Sequence, residues 1–216
     1  MKIAAFSDTH EMFDKVKLPN DFDILICGGD FTFKGNYFKI RDFLEQLKTV
    51  ANNKPVIFTP GNHELTLENQ ISNESQLINV YCQANNNFHY LIDKQVTINN
   101  CKIWGSPWTP WFYDWAFNSP RDVIQTYWNK IPLDTEVLVL HGPPYGILDK
   151  TREGENVGCK ALLETIQTKL KALKVCIFGH IHESYGHTKL NNIDYYNVSI
   201  CNRKYEPINP VTIIEI

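Results

Sequence analysis

Five short apolar runs, residues 2–6, 23–27, 55–59, 136–140 and 174–178, each give way within a few residues to a polar segment. Rich in Ile, Val, Leu and Phe, the runs read as strands buried on both faces. The segments that follow are Asp8-Thr9-His10, Gly29-Asp30, Gly61-Asn62-His63-Glu64, His141-Gly142-Pro143-Pro144 and Gly179-His180-Ile181-His182. Each is weak evidence alone, because a Gly-Asp is often a turn and Asp-x-His occurs by accident. Five at successive strand ends are different. In α/β sheets, ligands gather where loops leave the carboxyl ends of the strands, so five separate loops are expected to converge on one rim.

Between the strands, apolar spacing (Phe38, Phe43, Leu44, Leu47, Val50) predicts a helix over 37–51. A similar pattern (Leu162, Leu163, Ile166, Leu170) predicts a second over 159–173. From 88 to 105 the pattern becomes hairpin-like, with Asn99-Asn100 as the turn between strands at 95–98 and 101–104. Residues 193–216 read as strands interrupted near Pro207 and Pro210. Much strand and few helices predict an α/β fold of two packed sheets flanked by helices.

A chain of 216 residues suits one domain, taken as 1–216, and 43% hydrophobic with 21% charged residues is ordinary for a soluble globular protein. The net charge of −3 argues against general nucleic-acid binding. Asp8 cuts the first apolar stretch short of signal-peptide length, so no export is expected. No apolar run approaches the roughly 18 residues of a membrane span. Six scattered cysteines without framework spacing fit a reducing, cytoplasmic setting.

The segments supply two carboxylates, a carboxamide and several imidazoles, a donor set suited to two divalent cations. Asp8 and His10, two apart on a strand exit, can chelate one ion, which His182 completes. Asp30 can bridge both ions. Asn62, His141 and His180 can hold the second. Oxygen and nitrogen ligands without thiolate suit Mn²⁺, taken as the leading choice, or Fe²⁺ or Zn²⁺. Two dications against two carboxylates leave a residual charge of about +2, which calls for an anion such as a phosphoryl group. A bridging hydroxide, made available near neutral pH, could attack phosphorus in line. His63, beside a ligand but aimed elsewhere, is the candidate acid for the leaving oxygen; its other reading is a hydrogen-bonding support. Glu64 is the candidate to orient it.

These motifs together resemble the full set of the calcineurin-like metallophosphoesterase superfamily. The stretches 105–112, 141–144, 157–159 and 181–186 further resemble the metallophosphoesterase-domain-containing proteins, a small phosphodiesterase branch. The resemblance implies a four-layer α-β-β-α sandwich of two mixed sheets. It implies one metal on Asp8, His10, Asp30 and His182, another on Asp30, Asn62, His141 and His180, and His63 as leaving-group acid. Protein serine/threonine phosphatases of the superfamily carry Asp-Arg-Gly after the second motif and an Arg before Gly-Asn-His. Here the corresponding residues are 31–35 (Phe-Thr-Phe-Lys-Gly) and Thr59-Pro60, which lack those arginines.

The expected activity is therefore hydrolysis of a small phosphodiester, with a cyclic or other nucleotide among the candidate substrates. The alternatives are a phosphomonoesterase of the same mechanism and a metal-stabilised, non-catalytic scaffold. Seven aromatic residues crowd positions 104–117, most expected to pack, with Trp108 and Trp111 as candidate substrate contacts. His89 reads as a strand residue, His187 as a loop residue, and Arg152, Arg203 and Lys204 as surface charges.

Overall fold

The computed structural model describes all residues, 1–216. Its strands are β1 (Lys2–Phe6), β2 (Ile24–Cys27), β3 (Val56–Phe58), β4 (Phe88–Tyr90), β5 (Lys94–Ile98), β6 (Cys101–Ser106), β7 (Thr109–Pro110), β8 (Asn118–Ser119), β9 (Val137–Leu140), β10 (Val175–Phe178), β11 (Gly186–Leu190), β12 (Ile193–Asn197) and β13 (Thr212–Glu215). The helices are α1 (Tyr37–Ala51), α2 (Asn73–Ala84), α3 (Gln125–Trp128) and α4 (Lys160–Thr168).

One sheet has the order β13-β1-β2-β3-β4, the other β11-β12-β10-β9-β6-β5, and β7 with β8 forms a small separate pair. Both large sheets are mixed: β13 and β1 pair antiparallel while β1, β2, β3 and β4 run parallel, and β5 and β11 are antiparallel edges on the parallel set β6, β9, β10, β12. Strand alternation divides the core into three layers. Ile3, Ala5, Ile24 and Ile26 meet Val137, Val139, Val175 and Ile177 between the sheets. Ala4, Phe6, Leu25 and Cys27 face the other way, against Phe43, Leu44 and Leu47 of α1. On the far side Leu138, Leu140, Cys176 and Phe178 pack on Leu162 and Ile166 of α4 and on Trp128. The result is a four-layer α-β-β-α sandwich.

The predicted α1 is present over the same residues. Asn36 caps it, accepting from the backbone N–H groups of Phe38 and Lys39. The hairpin is also present, with Asn99 and Asn100 both at positive φ (50° and 63°) in the two-residue turn that the strand twist favours. Helix α4 is shorter than its apolar pattern: Leu170 and Leu173 are buried from a turn that leads into β10. Helix α2 has no counterpart in the sequence reading, and His187 lies in strand β11, not a loop, its Nε2 donating to the Asp194 carboxylate at 2.8 Å. His89 is in β4 as expected. No helix is long and apolar enough to cross a membrane.

Because β1, β2 and β3 are mutually parallel, as are β9 and β10, their carboxyl ends share an edge in each sheet. The two edges are joined where Ser7, just past β1, donates to the Val198 carbonyl and accepts from the Ile200 N–H. All five polar segments leave from this joint rim.

Candidate metal centre

Backbone strain marks the rim. Asp8 (φ 55°), His10 (φ 41°), Asp30 (φ 51°) and His180 (φ 69°) all adopt the left-handed region that non-glycine residues seldom visit, the kind of conformation that clusters at functional sites. Glycines permit the close approach of the loops: a Cβ at Gly61 would collide with the Asp30 carboxylate and the His141 ring, and one at Gly179 with the Asp8 carboxylate.

The ligand atoms converge. One atom each from Asp8, His10 and His182 lies within 4.8 Å of the others, and the same holds for Asp30, His141 and His180. His182 Nε2 is 3.4 Å from Asp8 Oδ1 and 3.3 Å from His10 Nε2. His141 Nε2 is 3.3 Å from Asp30 Oδ2 and 2.9 Å from Asn62 Oδ1. Asp30 Oδ2 also lies 4.0 Å from His10 Nε2, which places this carboxylate between the two groups. All seven residues expected as ligands are thus brought together, from loops of both sheets. His63 Nε2 is 4.0 Å from Asp30 Oδ2, and the atoms of His10, Asp30 and His63 form a third close group.

Hydrogen bonds behind the ligands aim them. The Nδ1 atoms of His141 and His182 lie 3.0 Å from the carbonyls of Gly28 and Asn202. Donation to those carbonyls puts the proton on Nδ1 and turns the bare Nε2 inward. Inward-facing imidazole lone pairs then meet two carboxylates and the Asn62 oxygen, acceptors against acceptors in a buried space. Cations relieve that arrangement, and a pair of divalent metals fits the donor set.

Protons partly fill the role in the metal-free protein. Burial works against protonation of His141, yet Asp30, Asp8 and the Gly28 carbonyl outweigh it and push the imidazole up to about 9. Burial opposes ionisation of Asp8 and Asp30 too. The imidazoles, chiefly His182 for Asp8 and His141 for Asp30, hold both carboxyls well below the usual carboxylate range. For His10 and His180 burial prevails, down to about 4 and about 3. Asp8 is held further by the His180 N–H and the Ser199 hydroxyl, at 2.8 Å for the latter.

Two expectations need correction, those for Glu64 and Trp108. Glu64 does not orient His63: its carboxylate, fully buried, accepts from the N–H groups of Asp30, Thr32 and Gly61 and from the Thr32 hydroxyl, pinning two ligand loops together. The Phe33 carbonyl, 3.0 Å from His63 Nδ1, is the orienting group. Trp108 packs instead of facing substrate, stacked on Tyr127 at 3.8 Å with its indole N–H on Asp93. Trp111 is exposed but does not line the cavity over the ligands. That cavity, about 450 Å³, is walled by Phe112, Tyr113, Trp115 and Tyr205, with Arg203 on its lining. The crowding of aromatic residues at 104–117 signalled the region; nothing in the sequence told which rings face inward, and Tyr205 carried no signal.

The calcineurin-like phosphoesterase family model matches residues 1–184. Metallophosphoesterase domain-containing protein 1 of Homo sapiens is 34% identical over 233 residues, spanning 100% of this chain and 71% of its own length, and the Mus musculus protein gives the same figures. A solved structure at 18% identity superposes with a TM-score of 0.64, covering 91% of this chain and 89% of the other, a likeness of fold.

Proposed function

Because this chain belongs to the calcineurin-like phosphoesterase family, we propose that it is a phosphodiesterase dependent on two divalent cations. In this reading Asp8, His10 and His182 hold one ion, Asn62, His141 and His180 hold the other, and Asp30 serves both. The observation that carries it is the inward convergence of bare nitrogens and carboxylate oxygens described above, which a cation pair satisfies. When bound, such cations supply Lewis acidity and bring the pKa of water towards neutrality.

The chain's own residues do the remaining work. His63, its Nδ1 held by the Phe33 carbonyl, presents Nε2 to the cavity and passes a proton to the departing alkoxide. The Trp115 ring, stacked on His63 at 4.3 Å, fixes the plane of the imidazole and excludes water from that face. Glu64 keeps the loops of Asp30 and Gly61 in register, and Ser199 with the His180 N–H sets the rotamer of Asp8.

A diester fits better than a monoester. One guanidinium lines the cavity, Arg203, and it is 3.8 Å from Glu183 and 3.9 Å from Glu153, so its charge is partly answered. The singly charged diester needs less cationic help than the doubly charged monoester, and the aromatic walls suit a nucleotide-like group. Turnover of bis-p-nitrophenyl phosphate against p-nitrophenyl phosphate in Mn²⁺ tests this, with the diester expected to lead by about tenfold, roughly 1.4 kcal/mol of barrier. The opposite order would make the protein a phosphomonoesterase. No turnover of either, with metal demonstrably bound, would leave a scaffold.

A further inference from the structure

A second cleft, about 330 Å³, lies against the metal centre and shares Phe112 and His180 with its cavity as a dividing wall. Trp111, Pro143, Val157 and Gly158 form much of the rest. These residues fall in the stretches 105–112, 141–144 and 157–159, whose pattern the metal ligands do not explain, since His141 is the one ligand among them.

The cleft is built in advance. Arg121 donates to the carbonyls of Val157 and Gly158 at 3.0 and 3.1 Å, which spends its guanidinium on the wall itself. Buried Asp149 accepts from the N–H groups of Gly146 and Gly158 at 2.9 and 2.8 Å and holds the same loop from behind. What the cleft presents is mainly carbon, with the unpartnered Thr151 hydroxyl beside it. Trp111 stands 59% exposed at its edge, a large apolar area that an occupant would cover.

His63 lines the first cavity and not the second. If His63 protonates the leaving alkoxide, that alcohol departs through the first cavity. A diester carries another organic group, bonded to phosphorus throughout, that needs a separate place; a monoester carries none. We propose that the second cleft receives this retained substituent, and that it takes a flat aromatic ring against Trp111 and Phe112. The assignment rests on the phosphodiesterase reading and extends it from reaction type to substrate shape.

The test uses the Mn²⁺-loaded protein and two diesters with one leaving group, phenyl p-nitrophenyl phosphate and methyl p-nitrophenyl phosphate. The ratio of their kcat/KM values is measured in the parent, in Trp111→Ala, which removes the wall, and in Val157→Trp, which fills the cleft. Loss of general integrity would lower both rates together and leave the ratio alone. Filling an apolar pocket is worth about 10- to 100-fold, so the phenyl preference of the parent should fall by about tenfold or more in each variant. An unchanged ratio in both variants, with both diesters still hydrolysed, would overturn the assignment and leave the phosphodiesterase reading intact. Turnover of p-nitrophenyl phosphate with neither diester accepted would instead overturn that reading, and the cleft assignment with it.

Discussion

His63 sits in a hydrogen-bonded seat that distinguishes it from its neighbours. His141 and His182 use backbone carbonyls to turn a bare nitrogen towards carboxylates, whereas His63 is also stacked on Trp115 and opens to the cavity. Replacing it by alanine should therefore lower turnover by about 10²- to 10⁴-fold, the usual value of general acid help. Metal content measured on the same variant should stay at two equivalents. Loss of one equivalent would make His63 a ligand, as its place beside His10 and Asp30 allows, and would remove it from the acid role. The deficit should also be smaller for a p-nitrophenyl ester, whose leaving group needs little protonation, than for a methyl ester. Asp8, His10, Asp30 and the histidines could be named from residue type and position after a strand. Glu64 could not be assigned its part, because the four donors it collects belong to two loops distant in the chain, one at Asp30 and Thr32 and the other at Gly61.

Elements whose stability is local were the most readable. Helix α1 has five buried residues at helical spacing and a side-chain cap, and its range follows from the pattern. Asn36→Ala removes the cap from two N–H groups and should cost about 1 kcal/mol, seen as a lower Tm with no change in kcat. An unchanged Tm would mean that packing of Phe43, Leu44 and Leu47 alone defines where α1 begins. Helix α2 escaped prediction because only Ser75 and Ile78 are buried in it, too few to make a stripe. In α4 the apolar pattern runs past the helix, since Leu170 and Leu173 reach the same core from a turn. A side chain's destination shows in the pattern; the backbone that delivers it does not.

The metal centre joins the two sheets: Asp8, Asp30 and Asn62 follow strands of one, and His141, His180 and His182 follow strands of the other. Cations bound there should hold the sheets together at the rim. Chelation should lower the Tm, and adding back metal at about 100 times its Kd should restore about 2.7 kcal/mol. The gain should depend on pH with a definite sign. Ligation needs neutral imidazole, and His141 stays protonated up to about 9 in the metal-free protein, so binding near pH 7 expels its proton. Affinity should then rise as pH rises, and the Tm gain on adding Mn²⁺ should be larger at about pH 8.5 than at about pH 6.5, the ordinary imidazole value. A gain that is flat over this range would show that no ligand proton is displaced.

Short-range chemistry was readable along the chain: which runs bury both faces, where a two-residue turn belongs, and which side chains can bind a cation. These depend on neighbours a few residues away. The walls of the active cavity and the second cleft depend on loops that meet only after both sheets have packed, as when Tyr205 comes to lie edge-on to His10 at 4.6 Å. Direction within such a loop is a property of long-range packing, so the 104–117 stretch announced its aromatic content while the folded chain assigned Trp115 to the imidazole, Trp108 to Tyr127 and Trp111 to the cleft.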